Sequence, residues 1–116
     1  MKSFAILFHE DPSVLTQMSP GQMQEVVARY STWFNTLRAT GRVQISAKLK
    51  DDGGKHLQRQ REQVVASDGP FAEAKDVVSG LFILESDSYE SARATLADCP
   101  HFDFGWMELR EIEFVK

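Results

Sequence analysis

Residues 68–88 read DGPFAEAKDVVSGLFILESDS, and this stretch orders the elements around it. Asp68-Gly69-Pro70-Phe71 is a turn: Pro70 fixes one backbone torsion, Gly69 supplies freedom, and the Asp68 carboxylate can accept from backbone amides just downstream. Phe71 to Val78 reads as a short helical turn or loop. Gly80 then opens Leu81-Phe82-Ile83-Leu84, a strand apolar on both faces. Asp87-Ser88-Tyr89-Glu90 starts a helix with Tyr89, Ala92 and Leu96 on its inner face, and Pro100 limits its end.

Working outward, Phe4 to Phe8 is a second strand apolar on both faces, closed by His9-Glu10-Asp11-Pro12. Ser19-Pro20-Gly21-Gln22 carries the capping-box pattern with proline at the first helical position. The helix it starts runs to about Thr40, with Met23, Val26, Val27, Tyr30, Trp33, Phe34 and Leu37 at helical spacing, and Gly41 can stop it. Val43, Ile45, Ala47 and Leu49 alternate with polar residues as in a half-buried strand. After the turn Asp51-Asp52-Gly53-Gly54, residues 55–67 read as two short edge strands. Trp106 to Val115 is the last strand, and its change of apolar parity predicts a bulge near Arg110-Glu111.

The order strand, helix, strand, short strands, strand, helix, strand is that of an α+β, ferredoxin-like antiparallel sheet with two helices on one face. One domain spans residues 1–116. Two helices cover one face only, yet two strands are apolar on both, so a second copy packed sheet to sheet is the expected cover and a homodimer the expected state.

Composition narrows the function classes. The chain has 116 residues, 42% of them hydrophobic, with 13 Lys+Arg against 17 Asp+Glu, enough for a core without staples. That acidic balance speaks against direct nucleic-acid binding. The short apolar run at the N-terminus does not read as a signal peptide and no run is long enough to cross a bilayer, so the expected location is cytoplasmic, with no membrane partner. Cys99 is the single cysteine and reads as packing. His9, His56 and His101 are scattered, without metal-ligand spacing, so neither metal nor cofactor is expected.

The segment DGPFAEAKDVVSGLFILESDS resembles the signature of the DGPF group of the YCII-related family, in which DGPF-A-E-x-K-E precedes a glycine-rich step into an apolar strand. The opening MKSFAILFHED, the SPGQMQEVVARYSTWFNTLRATGRV helix, the SYESARATLADCP helix and the WMELR strand extend the resemblance over nearly the whole chain. Asp76 stands where the family has Glu, and Glu111 follows Arg110 where a proline is usual. The resemblance implies the dimeric α/β-barrel type of ferredoxin-like fold and a homodimer. Relatives are proposed to use a histidine-aspartate pair, and some eliminate chloride from halo-aromatics as lyases. Tyr30 stands here where those relatives carry histidine.

Two functions follow. In the first, a small-molecule lyase or isomerase uses Asp68, Lys75, Tyr30 and His9 as catalytic residues. Trp33, Phe71, Glu73 and Arg110 bind the ligand, and Trp33 and Phe71 wall an apolar pocket. His9 would sit at the pocket mouth with Glu10 and Asp11 as orienting carboxylates, whereas His101 and Asp103 fall in a surface loop. In the second, the chain is a non-catalytic dimeric module that binds a small ligand or regulatory partner. DGPF domains occur beside alternative sigma factors, which favours such an association. A closed pocket holding two titratable groups within hydrogen-bond reach separates the first from the second.

Overall fold

The computed structural model describes residues 1–69 and 76–115. Its elements are β1 (Lys2–Glu10), α1 (Pro12–Thr16), α2 (Pro20–Arg38), β2 (Val43–Lys48), β3 (Lys55–Gln60), β4 (Gln63–Asp68), β5 (Val77–Ser86), α3 (Tyr89–Leu96), a 3-10 turn (Pro100–Asp103) and β6 (Gly105–Glu111). The main sheet runs β2-β5-β1-β6 with every pair antiparallel, and β3-β4 forms a separate two-stranded sheet. With that hairpin set aside, the strand order and the two long helices are those of the ferredoxin-like fold.

Period-two alternation places the core. Phe4, Ile6 and Phe8 of β1 pair in register with Leu84, Phe82 and Gly80 of β5. These strands, apart from Gly80, join Leu37, Ala92, Leu96 and Cys99 in one buried cluster, against which Trp33 and Phe34 of α2 pack. Both helices therefore lie on this face. The capping box at α2 forms as read: Ser19 Oγ accepts from the Gln22 amide at 3.2 Å, and the Ser19 amide donates to Gln22 Oε1 at 2.9 Å. Such a cap is worth about 1 kcal/mol. Gly41, with φ of 75°, takes the left-handed conformation that ends the helix.

The other parity of the sheet, with Ala5, Leu7, Leu81 and Ile83, is only half-buried, and Ile45 and Trp106 are exposed beside it. Neither α2 nor α3 covers this face.

Several expectations are corrected. β1 extends to Glu10, and a short helix capped by Asp11 follows it, because the Asp11 carboxylate accepts from the Ser13 amide at 2.9 Å. β3 and β4 are strands but do not edge the main sheet; both faces of the hairpin carry polar residues, and Leu57 and Val64 on it stay exposed. β5 begins at Val77, so Val77 and Val78 are strand, and residues 70–75 of the expected turn and loop lie outside the described residues. No bulge interrupts β6 at Arg110-Glu111: its register with β1 is continuous from Gly105 to Glu111. The apolar parity changes because the strand ends there, leaving Phe114 exposed. Tyr89 is half-exposed; its ring edge meets Phe4 at 4.9 Å and its hydroxyl accepts from the Glu111 amide at 2.7 Å.

Candidate active site

The last two residues of β1 diverge. Glu10 keeps the inward parity of Phe4, Ile6 and Phe8 and enters a cavity of about 450 Å³ between α2 and the sheet, while His9 points to the open face. Phe8, Phe34 and Phe82 wall the cavity together with Met23 and Val26 of α2. Its volume suits a small organic molecule. Glu10 Oε2 is buried there and has no hydrogen-bond partner.

Tyr30 lines the same cavity from α2. Its hydroxyl lies 2.7 Å from Nδ1 of His101, which the 3-10 turn holds at 2% exposure. The other ring nitrogen, Nε2, lies 2.8 Å from the His9 carbonyl oxygen and 3.2 Å from that of Trp106. Carbonyl oxygens only accept, so Nε2 carries the proton. In the neutral ring Nδ1 is then an acceptor, and the Tyr30 hydroxyl donates to it. The edge of the His101 ring packs on Phe8 with centroids 4.9 Å apart.

Gly105 makes room for this arrangement. A Cβ there would lie 2.0 Å from the His9 carbonyl oxygen and 3.0 Å from His101 Nε2, which no other residue tolerates without displacing the strand.

Burial first, then the charges of Cys99 and Glu10, holds the Tyr30 hydroxyl above the ordinary tyrosine range, so it is protonated at neutral pH. Burial likewise pushes the Cys99 thiol up to about 11 from 9.0, partly offset by a backbone hydrogen bond at His101. A proton held longer by the folded chain than by the unfolded one stabilises fully below the unfolded pKa and is lost as pH rises through the folded one. Stability is accordingly expected to fall from pH 9 to 11 by an amount on the order of 2 kcal/mol through Cys99, with Tyr30 adding to the loss from about pH 10 upward. Urea melts at pH 8 and pH 11 check it: Cys99→Ala should flatten the lower part of the slope, and an unchanged slope would contradict the assignment.

The structure separates the residues singled out in the sequence. Tyr30 lies at the cavity. His9 does not: its ring stacks on Trp106 with centroids 4.0 Å apart and planes 9° apart, and Nε2 lies 3.3 Å from Glu108 Oε1. Its carboxylate neighbour is thus Glu108, in place of Glu10 and Asp11. Asp68 ends β4 on the separate hairpin, exposed and paired with Lys55, so the structure does not bring it to Tyr30. Trp33 packs on Phe34 and Phe82 while its Nε1 donates to Asp98 at 2.9 Å, and it does not line the cavity. Arg110 is exposed on the open face, 3.7 Å from Glu108. Phe71, Glu73 and Lys75 lie outside the described residues. No group of three metal-ligating side chains gathers among the described residues, and no helix among them is long and apolar enough to cross a membrane.

Two site residues were given other places in the sequence. Glu10, expected as an orienting carboxylate for His9, was legible as the inward member of the β1 alternation. His101, expected in a surface loop, is buried because Pro100 starts a turn that tucks the ring under Phe8.

Fold and site together describe a ferredoxin-like α+β domain with a cavity between sheet and helix. The chain belongs to the YCII-related domain family, which it matches over residues 2–116. Among solved structures it is similar to 5-chloro-2-hydroxyhydroquinone dehydrochlorinase from Burkholderia phenoliruptrix AC1100, in complex with 2,5-dihydroxybenzoquinone. The TM-score is 0.56 at 15% identity, covering 96% of this chain and 93% of that one. At that identity the likeness shows the fold alone. No curated protein matches the chain.

Proposed function

We propose that the chain is a small-molecule lyase or isomerase whose proton-transfer group is the Tyr30-His101 pair. The observation that carries this reading is that Tyr30 lines the cavity and its hydroxyl is bonded at 2.7 Å to a histidine whose other nitrogen is fixed on backbone carbonyls. A substrate C–H proton passes to the Tyr30 oxygen as the tyrosine's own proton passes to His101 Nδ1. The imidazolium so formed keeps its Nε2–H on the carbonyls of His9 and Trp106. The electron pair left on carbon either takes the proton back at a neighbouring carbon, which is isomerisation, or expels a leaving group from it, which is elimination. The dehydrochlorinase with the same fold supports the second outcome.

Deuterium uptake tests this. In D2O, with a panel of small carbon acids followed by NMR, the wild type should exchange C–H for C–D and Tyr30→Phe should lose that exchange by at least about a hundredfold. Full exchange by Tyr30→Phe would remove the mechanism. Ligand binding without any exchange would favour the second reading, a non-catalytic dimeric ligand-binding or regulatory module linked to alternative sigma factors.

In either case the active unit is a cytoplasmic homodimer, in which a second copy covers Leu7, Ile45, Leu81, Ile83 and Trp106 on the open face. What supports this is that these apolar side chains lie opposite both long helices. A light-scattering mass of a single chain at micromolar concentration would refute it.

A further inference from the structure

Glu10 and Tyr30 line one cavity and interact electrostatically, and hydrogen-bond acceptors are left without donors at this end of it. The Tyr30 O–H is committed to His101, so its oxygen offers only acceptor sites. Glu10 Oε2 is buried without a donor. The cations that line the same cavity have partners of their own. Lys48 Nζ donates to the Leu49 carbonyl at 2.9 Å and to Asp51 at 2.8 Å. Arg38 donates to Asn35 at 2.7 Å and lies 5.7 Å over the Phe34 ring.

A ligand that satisfies this pole must bring donors and positive charge. We propose that the cavity binds a small primary amine, its ammonium held between the Glu10 carboxylate and the Tyr30 oxygen and its apolar body against Phe8, Phe34 and Phe82. An ammonium has three donors and no acceptor, makes charge-assisted hydrogen bonds to a carboxylate, and is attracted by aromatic ring faces. A carboxylate or phosphate at the same pole meets like charge and lone pairs. The proposal rests on the cavity being the reaction site, and it adds to the chemistry there: positive charge on nitrogen acidifies the adjoining C–H bond, the one that faces Tyr30.

Benzylamine, benzyl alcohol and benzoate share a ring and differ in the head group, so their binding, read by thermal shift and calorimetry, tests the class. Benzylamine should bind about tenfold or more tightly than benzyl alcohol, and benzoate more weakly than either. Glu10→Gln should bring the amine down to the level of the alcohol. Equal or tighter binding of benzoate, no binding of benzylamine, or an amine preference that survives Glu10→Gln would overturn the proposal. If Glu10→Gln does not fold, the wild-type order of the three probes decides alone. Deuterium exchange reads the Tyr30-His101 pair separately. Loss of the amine preference with Tyr30-dependent exchange intact removes only the ligand class, and the converse removes only the proton transfer.

Discussion

Phe82→Ala is expected to lower the unfolding free energy by about 3–5 kcal/mol, a large part of the about 5–15 kcal/mol that holds a domain folded. Phe82 is 1% exposed on the central strand β5 and lies opposite Ile6 of β1. Its ring meets Phe8 at 4.9 Å, Phe34 at 5.5 Å and Trp33 at 6.2 Å, so it joins both central strands to α2. Truncation removes these contacts at once, and the sheet cannot collapse into the space because Ile6 and Leu84 are themselves held in register. Leu57→Ala serves as the contrast. Leu57 is apolar too, but 67% exposed on the hairpin, and its loss should change stability by no more than about 0.5 kcal/mol. Urea melts with an unchanged slope check both values. A Phe82→Ala cost below about 1 kcal/mol would contradict the core as described.

The same ring explains why the fold was legible in sequence and the site was not. Phe82 and its neighbours declare a strand through local composition, Ser19 and Gln22 declare a helix start over four positions, and the element order then leaves few topologies. Tyr30 and His101 meet across 71 positions. Their meeting depends on where a 3-10 turn lands and on a glycine at position 105 that lets the backbone of β1 approach the ring. No period in the sequence encodes that. Asp68 misled for the opposite reason: its turn signature is strongly marked, but the residue ends a strand of a hairpin separate from the main sheet. His9 and Glu10 show a smaller failure of the same kind. Adjacent in sequence, they were grouped as one constellation, whereas alternation along β1 sends them to opposite faces.

Removing both members of the Tyr30-His101 pair is expected to cost less than the sum of the two single removals. His101→Leu leaves the Tyr30 hydroxyl without its acceptor and the carbonyls of His9 and Trp106 without the ring donor, at about 2–4 kcal/mol. Tyr30→Phe leaves Nδ1 of a 2%-exposed ring unpaired, at about 1–2 kcal/mol. In the double variant the two carbonyls are still deprived, but neither a lone hydroxyl nor a lone ring nitrogen remains. The double-mutant cycle therefore isolates the Tyr30-His101 bond from the backbone contacts, and a coupling of about 1–2 kcal/mol is expected. Denaturant melts of the four proteins measure it. A coupling near zero would mean that solvent or another side chain replaces His101 at the tyrosine. The relay would then have lost its physical basis, because a tyrosine held above its ordinary pKa range gives up its proton only to an acceptor that is fixed in place.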